Sequence, residues 1–260
     1  MDIKTHNRRA WNLNVLRGCP WSIPVDHQTI VAARAGEWEL FVTPTRPAPR
    51  KWVGEVAGRK VLCLAGGGGQ QGPVLAAAGA EVTVFDHSSA QLGRDRQVAK
   101  REGLQIETVE GSMEDLSCFE DEMFDIVVHP VSNCYIPDVR PVWREAARVL
   151  RPGGSLLSGF INPITYAFDP EKAAKGVFQV KYKLPFSDVE STTEDYRQNM
   201  MEQGEAFQFG HLLETQIGGQ IEAGLAIVGF FEDVQPDAPW LDYVPTVIAT
   251  CARKLPVSLG

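Results

Sequence analysis

Short apolar runs alternate with helix-like stretches through the middle of the chain. Strands are predicted at residues 60–64, 81–85, 105–109, 124–129 and 154–160, and helices at residues 71–80, 88–102 and 139–150. Strands separated by helices of this length indicate βαβ units, whose strands are parallel and whose crossovers are right-handed. The pattern therefore predicts an α/β fold built on a parallel sheet.

The N-terminal part of the chain has a different pattern. Residues 1–58 mix aromatic side chains with prolines, and helices are predicted there at 7–16 and 28–35. Residues 43–50 hold three prolines and predict an extended connector, because proline cannot occupy a helix interior. We expect a helical and extended N-terminal extension over 1–58 and a main domain over 59–260.

The alternation also stops after the fifth predicted strand. Residues 162–208 carry scattered aromatic, proline and charged positions and predict an insertion over the sheet edge. A helix at 212–223 and strands at 226–231 and 246–250 follow. The link between these two strands is too short for a parallel crossover, so the last strand is expected to be antiparallel. The insertion and the N-terminal extension together are expected to form a lid.

Composition restricts the classes of partner. The chain has 260 residues, 44% hydrophobic, with a net charge of −8, which disfavours a phosphate backbone and hence nucleic acid. No apolar run is long enough to span a bilayer, and the first nine residues lack the apolar core of a signal peptide. Five widely spaced cysteines without a CxxC pair predict reduced thiols in a cytoplasmic protein. Nothing in the pattern indicates an oligomeric state.

A glycine-rich stretch follows the first predicted strand and precedes a predicted helix. Residues 64–72 read L-A-G-G-G-G-Q-Q-G, and Gly67, Gly69 and Gly72 fit the G-x-G-x-x-G spacing of dinucleotide-binding turns. Glycine lets the backbone approach a ligand closely, and the helix N-terminus offers unpaired N–H groups. Asp86 ends the next strand, where a carboxylate can accept hydrogen bonds from both ribose hydroxyls. The pattern predicts a nucleotide-type ligand and leaves its identity open.

Three later segments narrow the choice. Residues 109–116, 124–128 and 145–154 follow in the order seen in class I S-adenosylmethionine-dependent methyltransferases of the small-molecule (UbiE-like, type 11) kind, which the chain resembles over about residues 59–160. The R-V-L-R-P-G-G of residues 148–154 is the most specific part, because nicotinamide dehydrogenases have no counterpart there. The resemblance implies a Rossmann-like methyltransferase fold, with a mostly parallel seven-stranded sheet, helices on both faces and an antiparallel last strand.

The resemblance also implies a cofactor and its contacts. The methyl donor would be S-adenosyl-L-methionine and the product S-adenosyl-L-homocysteine. Ala65, Gly66 and Gly67 would line the methionine part, Asp86 and His87 would meet the ribose, and Ser112 with Met113 would flank the adenine. The full set of implied cofactor-binding residues is Ala65, Gly66, Gly67, Gly69, Gln71, Asp86, His87, Gln91, Ser112, Met113 and His129.

Two positions depart from the family pattern. Cys63 stands where the family usually has an acid, and Ser112 where an aspartate is common. Gln70, Gln71 and the Ser112 hydroxyl could substitute, since neutral acceptors also pair with N–H donors. These departures leave open a relative that binds the cofactor without catalysis.

Candidate catalytic residues follow the fourth predicted strand. Methyl transfer is an in-line displacement that gains from positioning and from a water-poor site, and a general base is needed only when the acceptor must lose a proton. His129 and Asn133, with His211 further along, are the candidates for base or acceptor contact, and structural roles remain the alternative for each. No cluster has metal-ligand spacing, so no metal is expected.

The sequence thus predicts methylation of a small-molecule acceptor at O, N, S or C. An NAD(P)-dependent oxidoreductase is the alternative, supported by Gly67, Gly69, Gly72 and Asp86. The chain lacks the Tyr-x-x-x-Lys pair that would support this alternative, because the residue four positions after Tyr166 is proline and the one four positions after Tyr182 is phenylalanine.

Overall fold

A seven-stranded sheet lies at the centre of the structure, a computed structural model that describes residues 2–239 and 242–256. Its strands are β1 (Lys60–Leu64), β2 (Glu81–Asp86), β3 (Ile106–Glu110), β4 (Phe124–His129), β5 (Leu150–Ile161), β8 (Leu225–Asp233) and β9 (Val247–Lys254). A separate antiparallel pair is formed by β6 (Phe186–Ser187) and β7 (Phe209–Gly210).

The strand order of the large sheet is β3-β2-β1-β4-β5-β9-β8. Strands β1 to β5 are parallel to one another, and β9 runs antiparallel to both β5 and β8. The mostly parallel sheet and the antiparallel last strand confirm the prediction. The direction of winding reverses between β1 and β4, and open α/β sheets bind ligands in the crevice that such a reversal leaves beyond the carboxyl ends of the strands.

Helices surround this sheet. They are α1 (Ile3–Leu16), α2 (His27–Arg34), α3 (Arg50–Val53), α4 (Gln71–Ala77), α5 (Ser89–Glu102), α6 (Arg140–Val149), α7 (Pro170–Ala173), α8 (Asp188–Ser191), α9 (Glu194–Gln203) and α10 (Gly219–Glu222). No helix within the described ranges combines the length and apolar character that a membrane span requires.

Two apolar cores lie on opposite faces of the sheet. Along β1, Val61 and Cys63 pack in one core with residues of α4 and α5, whereas Leu62 and Leu64 pack in the other with Trp143 of α6. Side chains alternate between the faces of a strand, so a strand buried on both faces is apolar at every position. This explains the apolar runs at residues 61–64 of β1 and 126–128 of β4.

Some boundaries differ from the sequence-based prediction. Helix α1 begins at Ile3, not residue 7, because the Asp2 side chain accepts the Thr5 N–H at 3.2 Å and caps it. The predicted helix at 212–223 begins as a π-helix over Glu214–Gly218 and then continues as α10. The Trp143 indole N–H donates to the Thr215 carbonyl at 3.0 Å. A side chain that donates to a helix carbonyl competes with the backbone N–H one turn later, and the helical turn widens there.

Candidate functional site

The glycine-rich loop between β1 and α4 is held by two carboxylates. The Gly67 N–H donates to Asp86 Oδ2 at 3.1 Å, and the Gly68 N–H donates to Asp95 Oδ2 at 3.0 Å. Ala65, at the start of the loop, has a φ of 48°, a left-handed conformation that costs energy in a residue with a Cβ. One carboxylate comes from β2 and the other from α5, so both helix and sheet determine the loop's shape.

Gly67 leaves no space for a side chain. A Cβ built there would lie 2.9 Å from the Gln91 Cβ and 3.2 Å from Asp86 Oδ2. Any larger residue would displace these neighbours or occupy the space in front of the loop. This position therefore requires glycine, and Gly67 lines the cavity beyond β1.

The electrostatics of Asp86 come from burial and from backbone donors. Asp86 is 7% exposed, and its Oδ1 accepts the Ser88 N–H at 2.8 Å. Burial raises the pKa of the Asp86 carboxyl, although His87 and the N–H groups of Ser88 and Gly67 oppose that shift. Burial lowers the pKa of His87, which Asp86 opposes. A buried carboxylate beside the loop can accept hydrogen bonds from a polar ligand.

A cavity of about 1740 Å³ opens at the carboxyl ends of β1, β2 and β4. Nine of the eleven residues predicted to bind the cofactor line it: Ala65, Gly66, Gly67, Gln71, Asp86, His87, Gln91, Ser112 and Met113. The other two, Gly69 and His129, do not. The Gly69 carbonyl accepts the Val25 N–H at 2.9 Å, so this residue faces the N-terminal extension.

The three candidate catalytic residues lie behind the cavity wall. His129 is fully buried, with Nδ1 2.9 Å from the Leu64 carbonyl and Nε2 2.5 Å from Asn133 Oδ1. Asn133 is also fully buried and donates to Gln216 Oε1 at 3.0 Å.

His211 completes this layer, with Nε2 3.0 Å from the Asn133 carbonyl. Burial lowers the pKa of both His129 and His211, which keeps the rings neutral. Neither histidine nor Asn133 is among the cavity-lining residues. Their polar atoms hold the loop after β4, and direct contact of these residues with an acceptor stays a prediction.

Comparison with known proteins identifies the family. Residues 62–158 match the family model of the methyltransferase domain. The chain is 51% identical to YbaJ of Bacillus subtilis (strain 168), a protein named as an uncharacterized methyltransferase, over 228 residues that cover 88% of this chain and 89% of YbaJ. The chain belongs to the S-adenosylmethionine-dependent methyltransferases. The predicted family, enzyme class and cofactor are thereby confirmed, and the oxidoreductase alternative is set aside.

More distant relatives are similar to this chain over about half of its length. The ubiquinone biosynthesis O-methyltransferase of Stutzerimonas stutzeri (strain A1501) is 32% identical over 127 residues, 47% of this methyltransferase and 55% of the relative.

Two solved structures share the fold of this chain. An S-adenosylmethionine-dependent methyltransferase from Mesorhizobium loti has a TM-score of 0.60 at 20% identity, covering 78% of this chain and 94% of that one. The 1,6-didemethyltoxoflavin-N1-methyltransferase of Burkholderia thailandensis has a TM-score of 0.60 at 14% identity, with coverage of 97% and 88%.

The N-terminal extension of this methyltransferase lies directly over the glycine-rich loop. The Gln70 side-chain amide donates to the carbonyls of Pro20 (3.1 Å) and Ile23 (3.0 Å), and that of Gln71 donates to the Phe41 carbonyl at 3.1 Å. The N–H₂ groups of these amides attach the extension to the loop, and both side chains line the cavity, so their suggested role as substitute cofactor acceptors, which would use the amide oxygens, stays a prediction. Gln70 and Gln71 thus each hold a different part of it.

Helix α1 is attached to the same region. Asn12 Oδ1 accepts the Ser88 hydroxyl at 2.7 Å and the Ala90 N–H at 3.2 Å, at the start of α5. Asn7 is buried and bonds the Tyr135 carbonyl and both backbone groups of Phe207. Helix α1 therefore bridges the start of α5 and the segment 162–208.

The residues present fit S-adenosylmethionine. Gln91 Oε1 is buried without a hydrogen-bond partner among the described residues, and Gln91 lines the cavity beside Asp86. An unpaired buried oxygen costs free energy unless a ligand supplies a donor. The cofactor carries hydroxyl, ammonium and amino donors, so its chemistry matches an acceptor-rich wall. The described residues contain no group of three or more His, Cys, Asp or Glu arranged to hold a metal ion.

Sequence reasoning missed Asp95, which is fully buried beneath the loop. Burial raises its pKa to about 7, although the Gly68 and Gly69 N–H groups oppose the shift. Leu92, Asp95 and Val98 are spaced by three residues on α5 and all are buried. An aspartate on the apolar stripe of a helix is a signal that could have identified it.

Proposed function

We propose that this enzyme binds S-adenosylmethionine along the carboxyl ends of β1 and β2 and methylates a small molecule held in the rest of the same cavity. The observation that supports this is the shared lining, since the glycine-rich loop, strand β2 and the loop after β3, which hold the predicted cofactor-binding residues, all line one space. Single ligand pockets enclose roughly 300–1,000 Å³. The larger volume here supports room for a cofactor and an acceptor together.

The proposed contacts follow the local chemistry. Gly66 and Gly67 would allow close approach of the methionine part, because both line the cavity and neither has a side chain. Asp86 would accept the ribose hydroxyls, and Ser112 with Met113 would flank the adenine. The Ser112 hydroxyl donates to Glu114 Oε2 at 3.1 Å, which orients its oxygen.

The chemistry asked of the protein is mainly positioning. S-adenosylmethionine supplies an activated methyl group on a sulfonium. The enzyme's own residues would bind and orient both molecules and exclude water, and this is where much of the rate acceleration of such a displacement can arise. We propose that the N-terminal extension and residues 162–208 form the lid that excludes water, supported by the attachment of both to α1. His129, Asn133 and His211 would act as positioning residues for the loop after β4.

A cytoplasmic location belongs to the same proposal, supported by cysteines that are all free thiols. The acidic net charge favours a small molecule over nucleic acid as acceptor.

The test is the binding of S-adenosylhomocysteine, the reaction product, to wild type and to Asp86→Asn by isothermal titration calorimetry. Asn keeps one acceptor oxygen but loses the charge, and hydrogen bonds to a charged group contribute about 1.5–3 kcal/mol. We expect the Kd to rise about 30-fold, which corresponds to about 2 kcal/mol.

Glu81→Gln is the matched control, because Glu81 is an exposed acid at the other end of β2 and should bind as wild type does. An unchanged Kd in a folded Asp86→Asn variant would contradict the ribose contact. Binding of NAD in place of S-adenosylhomocysteine would contradict the proposal altogether. Binding without turnover of any acceptor would favour the non-catalytic alternative.

A further inference from the structure

The cavity continues beyond the cofactor contacts into a space with flat aromatic walls. Tyr166 stacks on Phe186 with a ring-centroid distance of 5.4 Å and an interplanar angle of 15°, and Tyr182 packs against the same Phe186 at 5.1 Å. A second aromatic pair is formed by Trp11 and Tyr135, which meet edge to face at 5.1 Å. All five line the cavity. Aromatic walls contribute large apolar area and favour flat ligands.

One carboxylate is built into these walls. Asp188 is 5% exposed, lines the cavity, and its Oδ2 accepts the Gln208 N–H at 2.7 Å. Within the described part of the chain no donor reaches its Oδ1. The Tyr166 hydroxyl donates to Gln208 Oε1 at 2.9 Å. Tyr166 therefore fixes Gln208, whose backbone N–H in turn holds the Asp188 carboxylate. Burial raises the pKa of Asp188 to about 6, and the nearby Glu205 adds to this shift. Asp188 thus offers a fixed oxygen to a bound molecule.

The charge of the cavity restricts what can bind beside Asp188. Of the lining residues, seven carry carboxylates and Lys4 is the one lysine or arginine. Lys4 lies 3.4 Å from Glu114 and is partly neutralised by it. A carboxylate or phosphate on the acceptor would meet uncompensated negative charge, which partly buried sites screen only weakly.

We infer that the acceptor is an uncharged or cationic aromatic compound whose N–H or O–H group donates a hydrogen bond to Asp188 Oδ1. The inference rests on the proposed function, of which it names the substrate class. The aromatic walls hold the ring of the acceptor, and Asp188 orients its heteroatom. The acidic lining rejects anionic analogues of the same shape.

Three naphthalene compounds of matched shape test this inference. They are 2-naphthol, which is uncharged and donates a hydrogen bond, 2-methoxynaphthalene, which cannot donate, and 6-hydroxy-2-naphthoate, which is anionic. Binding of each to the full-length protein is measured by calorimetry, with and without saturating S-adenosylhomocysteine. We expect 2-naphthol to bind about tenfold more tightly than 2-methoxynaphthalene and at least tenfold more tightly than the naphthoate.

The variant Asp188→Asn isolates the carboxylate. Its amide oxygen can still accept the Gln208 N–H, so this hydrogen bond is kept while an N–H₂ group replaces Oδ1. We expect the preference for 2-naphthol over 2-methoxynaphthalene to fall to about twofold or less. Glu190→Gln is the matched control: it removes one charge from the same short helix at an exposed position outside the cavity lining, and should leave both preferences unchanged.

Several results would overturn the inference. They are equal or tighter binding of the naphthoate, an unchanged preference in Asp188→Asn, and failure of all three compounds to bind. If Asp188→Asn does not fold, the order of affinities of the three compounds for the wild-type protein still tests the inference. Failure of S-adenosylhomocysteine to bind would instead contradict the proposed function, and the order of the compounds can be measured in its absence.

Discussion

Replacing Asp95 by Asn should make the protein more stable, and increasingly so as the pH rises. Asp95 is fully buried under the glycine-rich loop, and its Oδ1 has no hydrogen-bond partner among the described residues. Asn has the shape of a protonated aspartic acid and can still accept the Gly68 N–H. The variant therefore approximates, at every pH, the neutral form that the buried site favours.

The magnitude follows from the pKa. The Asp95 pKa is about 7 in the folded protein against 3.8 for the free side chain. A raised carboxyl pKa means that the folded state binds more protons than the unfolded state, so stability falls as pH rises between these two values. At about 1.36 kcal/mol per pKa unit, the cost of ionising Asp95 grows from roughly 2 kcal/mol at pH 5 to roughly 4 kcal/mol at pH 8.

The assay is urea unfolding of wild type and Asp95→Asn at pH 5, 6, 7 and 8. The difference in unfolding free energy between the two proteins should grow by about 2–3 kcal/mol over this range. Taking the difference removes the contributions of His129 and His211, whose lowered pKa values act in the opposite direction in both proteins. A difference that stays constant with pH would refute the reasoning, because it would mean that Asp95 titrates alike in the folded and unfolded states.

Two further predictions concern the frame of the site. Gly93→Ala should stabilise α5 by about 0.5–1 kcal/mol in urea unfolding, because the added Cβ would meet only Arg96 Nη2 at 3.9 Å; a loss of stability would contradict this. Asn7→Ala should cost about 2–4 kcal/mol and speed proteolysis within residues 162–208, since it leaves three backbone groups of Tyr135 and Phe207 unpaired. Asn199→Ala, exposed on α9, is its control, and a cost no greater than that of this control would rule out α1 as an anchor.

The central fold was predictable because its signals are local and strong. Strand β4 has the predicted bounds, since a short β-branched apolar run such as residues 126–128 between turns is typical of a strand buried on both faces. Helix α5 begins as predicted after Ser88, whose hydroxyl accepts the Gln91 N–H at 3.1 Å. The short helices α7 and α8 and the β6–β7 pair were not predicted. Elements of two to four residues depend on tertiary contacts such as the Gln208 N–H on Asp188.

The candidate site was predictable where the fold family determines positions, and less so where side-chain direction decides. His129 ends β4 and was expected to face the crevice. Side chains alternate along a strand, so His129 points to the same face as Val127, where its ring lies 5.9 Å from the Trp143 ring. Because β4 is buried on both faces, its sequence pattern does not show which face Val127 and His129 share. Asp188 lies in a segment without periodicity, and no local signal distinguishes it from an exposed loop acid.

Cys63 and Asp95 explain each other. The family resembled usually has an acid at the position of Cys63, and its absence raised the possibility of a weakened cofactor site. Cys63 is fully buried, and the Asp95 charge adds to the effect of burial in raising the thiol pKa, so the two side chains occupy the same region beneath the loop. Two ionised carboxylates there would repel each other strongly, because each negative charge disfavours ionisation of the other carboxyl. Because Asp95 of α5 places a carboxylate beneath the loop, residue 63 is expected to be neutral. The loop thus keeps one acid beneath it, and this acid comes from helix α5 instead of strand β1.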